Sequence, residues 1–185
     1  MSHETALIAA AKKGSVSAFT DLVGDYREGL LRFLVTRAAS YADAEDALQD
    51  TLINAYRYIN SYDAEWRFST WLYRIAINNL SKLRAIDTAD NVDVDDLREE
   101  EGGPLEDCIA AAERENLWVA AKRVLNDEVY TALWLRYVED MSVKDISAVL
   151  ERSVSWTKVN LLRARKQLET ELNKTSTDKT RKAYG

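Results

Sequence analysis

The side chains in this chain best placed for chemistry are cations, amides and aromatics, and their spacing suits gripping a ligand rather than breaking a bond. Along 154–172, Lys158, Arg163 and Lys166 share a helical face with Ser155, Val159 and Leu162. Thr157, Leu161, Ala164 and Leu168 recur opposite them at i, i+4, i+7 and i+11, the spacing of a core-facing stripe. Cations on such a face reach phosphates, and the N-terminal half of the helix reaches base edges. A second set lies in "RFSTWLYRIAINNLSKLRA", where Thr70, Arg74 and Asn78 recur every four residues and Lys82 lies near the boundary. Opposite runs an apolar stripe of Phe68, Leu72, Ile75, Ala76 and Leu83, with Asn79 at its edge. The outward face is too polar for core and too aromatic for bulk water; Trp71, between the two faces, reads as core packing ahead of a melting wedge.

A third set is acidic. In "YADAEDALQDTLINAYRYI" the core stripe is Leu48, Leu52, Ala55 and Ile59, and Asp43, Asp46, Gln49, Asp50, Asn54 and Arg57 make the polar face. Acids in a first helical turn favour the helix dipole. Asp43, Glu45 and Asp46 therefore serve either their own helix or a partner.

Bond-breaking chemistry has little to work with. His3 is the only histidine and Cys108 the only cysteine, which leaves no zinc cluster and no internal disulfide. There is no glycine-rich phosphate cradle and no carboxylate with a histidine partner. The expectation is a non-enzyme with no catalytic residue, no metal, no cofactor and no small-molecule substrate.

The elements that position these residues are helices. Six glycines and one proline in 185 residues, with no sustained apolar–polar alternation, imply an all-α chain. Helices are expected over 4–13, 16–38, 43–60, 67–84, 113–125, 127–138, 142–150 and 154–172. The longest purely apolar run, Ala6–Ala11, is too short to span a membrane, and the N-terminus lacks a signal-peptide layout. The chain is expected in the cytoplasm, with no membrane insertion.

Charge divides the chain. Between Ala85 and Glu115 twelve acids face only Arg98 and Arg114, around Gly102, Gly103 and Pro104, which reads as a linker. From Arg152 to Gly185 nine bases face three acids. The formal net charge of −6 therefore hides a basic end able to meet phosphate. Ahead of the basic helix, Ser142 and Asp145 form an acidic variant of a capping box and Glu151, Arg152 and Ser153 form a turn. The arrangement fits a DNA-reading helix-turn-helix, or a helical hairpin with a solvated basic face.

In order, "AFTDLVGDY", "DAEDALQDTLINAYR", "FSTWLYRIAINN", the acidic linker, "LRYVEDMSVKDISAVL" and "TKVNLLRARKQL" resemble the extracytoplasmic-function (ECF) sigma factors of bacterial RNA polymerase, in the sigma-70 family. The resemblance implies two helical domains joined by a flexible linker: region 2 over 1–86, linker 87–112, region 4 over 113–172, and a mobile basic tail over 173–185. Region 2 of such proteins docks on the clamp helices of the largest polymerase subunit and opens the −10 element; region 4 sits on the β flap and reads the −35 element. Neither step is enzymatic. An anti-sigma factor is a further partner the resemblance allows.

Carried over by position, Asp43, Asp46, Gln49, Asp50, Asn54 and Arg57 become the core-polymerase surface. Thr51 in that helix falls where relatives commonly carry a small polar residue, which argues against a phosphorylation site. The loop "NSYDAEWRF" falls where the family captures a flipped base, with Tyr62 beside the pocket and Trp66 either a stacking platform or a cap on the core. Tyr62, Trp66, Arg67, Ser69, Thr70, Arg74, Asn78 and Lys82 become the −10 set. Ser155, Trp156, Lys158, Val159, Asn160, Leu162, Arg163 and Lys166 become the −35 set. Two departures stand out. Glu151 replaces the usual turn glycine, so the turn is either strained by about 1 kcal/mol or rebuilt. "SWTKVN" replaces "GTVKSR", so relatives do not give the −35 sequence.

The acidic linker reads as a solvated tether, or as a phosphate mimic that enters the polymerase's RNA channel or shields the basic helix in the free protein. The alternative to a sigma factor is a helix-turn-helix regulator that binds duplex DNA without polymerase.

Overall fold

A computed structural model describes residues 2–87 and 117–183, with side chains over 2–80 and 117–173. The described residues fall into two compact units, one in each half of the chain, and all their regular structure is helical. The acids of the expected linker from residue 88 onward, Cys108, and the side chains of Lys82 and Leu83 lie outside the described residues.

The first unit opens with α1 (His3–Lys12) and α2 (Val16–Val35), each started by a serine whose hydroxyl accepts a backbone N–H, Ser2 from Thr5 and Ser15 from Ala18. Between them Gly14 takes φ 93°, a conformation a side chain would strain. Helix α3 (Tyr41–Arg57) is capped by Ser40 and followed by a 3-10 turn, Ile59–Ser61, and then by α4 (Phe68–Asp87). Leu30, Phe33, Leu34, Leu48, Phe68, Leu72 and Tyr73 are essentially sealed from solvent where α4 packs against both α2 and α3. Full burial of each such side chain contributes roughly 1.5–3 kcal/mol.

In the second unit α5 covers 117–124, and α6 (Asp127–Tyr137) is capped by Asn126. Every residue of α6 from Val129 to Leu135 is buried, the mark of a central helix. Trp118 lies against Trp134 and Tyr130, with ring centroids 4.9 and 5.7 Å away. Helix α7 (Val143–Val149) and helix α8 (Val154–Ala183) complete the unit.

The expected helices are present, with shifted ends. Helix α3 starts at Tyr41, ahead of the expected 43, because the Ser40 hydroxyl caps it. Helix α2 stops at Val35, short of 38. Helix α8 continues past the expected end at 172 to Ala183: apolar periodicity fades after Leu172, but no glycine or proline intervenes before Gly185 to stop it.

Candidate nucleic-acid interface

In the first unit the outward residues from Arg67 along α4 are Arg67, Arg74 and Asn78, with Trp71 half-buried in the same sector. Their positions follow i, i+4, i+7 and i+11, one face of a helix. Thr70, expected on that face, is buried at 3% exposure. The reason is that α4 is covered from two sides, so its buried arc also takes in Tyr73 and Leu80 and leaves a narrower outward sector than an amphipathic pattern implies. Ile75, assigned to the core stripe, is only half-buried, and Ser69, assigned to the −10 set, is half-buried as well.

The loop before α4 is held by its own aromatics. Tyr62 is buried and donates its phenol to the Trp66 carbonyl at 2.7 Å, and its ring meets Phe68 and Trp71 edge-on at 5.5 and 5.6 Å. Trp71 therefore packs on the aromatic cluster while facing outward. Trp66 is half-buried at the rim of the same loop. Lys12, fifty residues upstream of Tyr62, donates to the Tyr62 carbonyl at 2.7 Å and sits over its ring at 5.5 Å. Only the fold makes that clamp visible. Burial, then the Glu4 and Asp63 carboxylates, raise the Tyr62 phenol above its ordinary range. Burial and a 2.5 Å hydrogen bond to Glu4 do the same to Tyr26, whose ring packs on Phe68.

On α3, Asp43, Asp46, Gln49, Asp50 and Arg57 are exposed on the acidic side. Asp43 also works for its own helix: its carboxylate accepts from the Ser40 hydroxyl at 2.7 Å. Asn54 differs from the rest, being half-buried and donating inward to the Asn79 side chain at 3.2 Å. The Asn79 amide in turn lies 3.4 Å from the Thr51 hydroxyl, which donates to the Ala47 carbonyl at 2.7 Å. Thr51 is fully buried, closed to a kinase in the folded state. Leu52, expected in the core, is half-buried, and Ala44 and Ala47 lie in the core instead.

The second unit forms a helix-turn-helix from α7 and α8. The capping box is formed, with the Ser142 hydroxyl 2.5 Å from the Asp145 carboxylate and accepting its N–H at 3.1 Å. The turn is not rebuilt: Glu151 itself takes the left-handed conformation at φ 55°, and the Arg152 N–H closes the end of α7 on the Ser147 carbonyl at 2.9 Å. Arg152 bridges to Glu128 of α6 through two nitrogens at 2.5 and 3.1 Å and lies over the Trp156 ring. Beneath the turn the Ser147 and Thr157 hydroxyls meet at 2.9 Å, both buried.

The stripe Thr157, Leu161, Ala164 and Leu168 is buried as expected. Opposite it Ser155, Lys158, Val159, Leu162, Arg163 and Lys166 are all exposed, with Trp156 and Asn160 half-buried on the flanks. Asn160 is turned along its own helix, donating to the Trp156 carbonyl at 2.9 Å. A short helix, a tight turn and a longer helix with a cationic outer face have the geometry of a helix-turn-helix.

Residues 22–87 match the family model Sigma-70 region 2, and residues 119–168 match Sigma-70, region 4. The chain belongs to the sigma-70 family. The curated relatives it matches are ECF sigma factors. It is 29% identical to the ECF RNA polymerase sigma factor SigW of Bacillus subtilis, over 89% of this chain and 94% of that one. It is also 29% identical to the ECF RNA polymerase sigma-E factor of Haemophilus influenzae, over 91% and 95%. The solved structure of the sigma factor RpoE in complex with the anti-sigma factor NepR from Bartonella quintana shares the fold, with a TM-score of 0.68 at 21% identity over 85% of this chain and 98% of that one. The α1–α4 unit thus contains region 2, and α5–α8 contain region 4. No described helix of this sigma factor is long and apolar enough to cross a membrane.

Proposed function

We propose that the chain binds core RNA polymerase as its promoter-specificity subunit, in the cytoplasm, directing −10 opening and −35 recognition at a particular set of promoters without catalysing a reaction itself. The observation that carries this is the presence in one chain, in order, of region 2 and region 4.

The acidic face of α3 is the surface for the polymerase clamp helices: Asp43, Asp46, Gln49, Asp50 and Arg57 meet the partner while Asn54 braces α3 on α4 from inside. Carboxylates against a basic partner steer association and fix register. Arg67, Arg74 and Asn78, exposed in one row with the half-buried Trp71 among them, support the −10 role, with Trp66 and Ser69 at the rim and Lys82 further along the helix. Tyr62 acts as the wall of the loop and not as an exposed platform; Thr70 holds the helix in place. Ser155, Lys158, Val159, Leu162, Arg163 and Lys166 form the −35 face, flanked by Trp156 and Asn160. An anti-sigma factor, as in the RpoE–NepR complex, is a further partner for these exposed surfaces.

The test is transcription in vitro with a compatible core polymerase on a promoter library that includes pre-melted templates. Run-off product only when the chain is added supports the reading. Tight, specific duplex binding by the free chain with no product from any template would replace it with a polymerase-independent regulator.

A further inference from the structure

The outward stripe of α8 has an unusual centre. Ser155, Val159, Leu162 and Lys166 follow i, i+4, i+7 and i+11, directly opposite the buried Thr157, Leu161, Ala164 and Leu168. Its two middle members are aliphatic and 44% and 56% exposed. Single exposed aliphatics are ordinary on protein surfaces. Here, however, they are adjacent on the base-facing side and ringed by the exposed cations Lys158, Arg163 and Lys166. Of the flanking groups able to hydrogen-bond bases, the Asn160 amide donates to the Trp156 carbonyl and Arg152 is held by Glu128, whereas Ser155, Lys158, Arg163 and Lys166 surround the pair and are exposed. The two central side chains themselves offer methyl groups and no hydrogen bond, with the polar and cationic groups around them.

In the major groove the base-edge group that pairs with an aliphatic side chain is the C5 methyl of thymine. Resting on the sigma-factor reading above, we infer that Val159 and Leu162 select the −35 element through thymine methyls on two neighbouring base pairs, with the surrounding cations anchoring phosphates. Three residues along a helix advance about 4.5 Å, close to the roughly 3.4 Å rise between base pairs, so the two side chains serve adjacent steps. Specificity here comes from apolar contact at the centre and charge at the edge. The chemistry distinguishes A·T from G·C pairs, and it fixes which strand carries the methyl.

The experiment uses holoenzyme assembled from this chain and core polymerase. Initiation is first selected on templates randomised across the −35 element. Each thymine recovered there is then replaced, one at a time, by deoxyuridine, which removes only the methyl. The inference expects thymine at two neighbouring positions, a loss of about fourfold per methyl removed, and loss of that penalty at one position in Leu162→Ala and at the other in Val159→Ala. Initiation without a thymine preference, or with no deoxyuridine penalty, overturns the methyl readout and leaves the sigma-factor reading standing. Leu162→Ala that weakens initiation equally on thymine and deoxyuridine templates assigns the pair to a protein contact and also overturns it. No initiation on any template, pre-melted ones included, overturns the sigma-factor reading and this inference with it.

Discussion

Helix α4 is packed between α2 and α3, and from Arg67 to Leu80 it leaves only Arg67, Arg74 and Asn78 exposed; α8 rests on α6 and α7 by one stripe and leaves Ser155, Lys158, Val159, Leu162, Arg163 and Lys166 in water. A helix gripped from two sides has almost every residue committed to the fold, so its outward chemistry is confined to one row. A helix gripped from one side can change its outer face with little effect on stability. In this protein α4 is structurally constrained, and the outer face of α8 is free to diverge. Where "SWTKVN" replaces "GTVKSR", Ser155, Lys158 and Val159 fall on the free side and Thr157 on the buried one.

That contrast can be broken by paired truncations. Leu72→Ala in α4, where the side chain is fully buried, should cost about 2–5 kcal/mol in denaturant unfolding, whereas Leu162→Ala in α8 should stay within about 0.5 kcal/mol. Equal losses would mean the outer face of α8 is covered in the folded chain. Next in size is the acidic face: Asp46→Arg with Asp50→Arg should weaken binding to core polymerase about a hundredfold, read by competition for core, with the unfolding midpoint unchanged because both residues are exposed. Then comes the polar brace between α3 and α4. Asn79→Ala leaves Asn54 and Thr51 without their shared partner and should cost about 1–3 kcal/mol in unfolding experiments.

Smaller effects sharpen the comparison at the turns. The first unit fills its left-handed position with Gly14, but the second places Asp140 and Glu151 in that conformation. Glu151→Gly should raise stability by about 0.5–1 kcal/mol, seen as a higher melting temperature, since glycine relieves the steric penalty and gives part of the gain back as chain entropy. Last, the Tyr26 and Tyr62 phenols are held above the ordinary 10.0 by burial and by Glu4. The fold favours their protonated forms, so their contribution is intact below pH 10 and is lost as pH rises above it. The alkaline limb of region 2 unfolding should flatten in Tyr26→Phe.

The α8 stripe was legible because one-sided burial is what a 3.6-residue period records: Thr157, Leu161, Ala164 and Leu168 are all inside. The serine-led start of α7 was legible for a local reason, since Ser142 and Asp145 satisfy each other within one turn. The α4 face was half-legible. Arg74 and Asn78 are outside, but Thr70 and Tyr73 are inside, because a period cannot report a second neighbour arriving from elsewhere in the chain. The spacing of Arg67, Trp71, Arg74 and Asn78 would have marked the true outward row. Contacts such as Lys12 with Tyr62 and Glu128 with Arg152 join residues far apart in sequence and carry no local pattern at all.

The continuity of α8 has a mechanical consequence. Thirty residues without a break make a rod about 45 Å long, with the Val159–Leu162 row near one end. A helix transmits rotation about its axis, so a partner holding the far end of the rod would bear on the angle at which the Val159–Leu162 row is presented, as the bow of a key sets the orientation of its teeth.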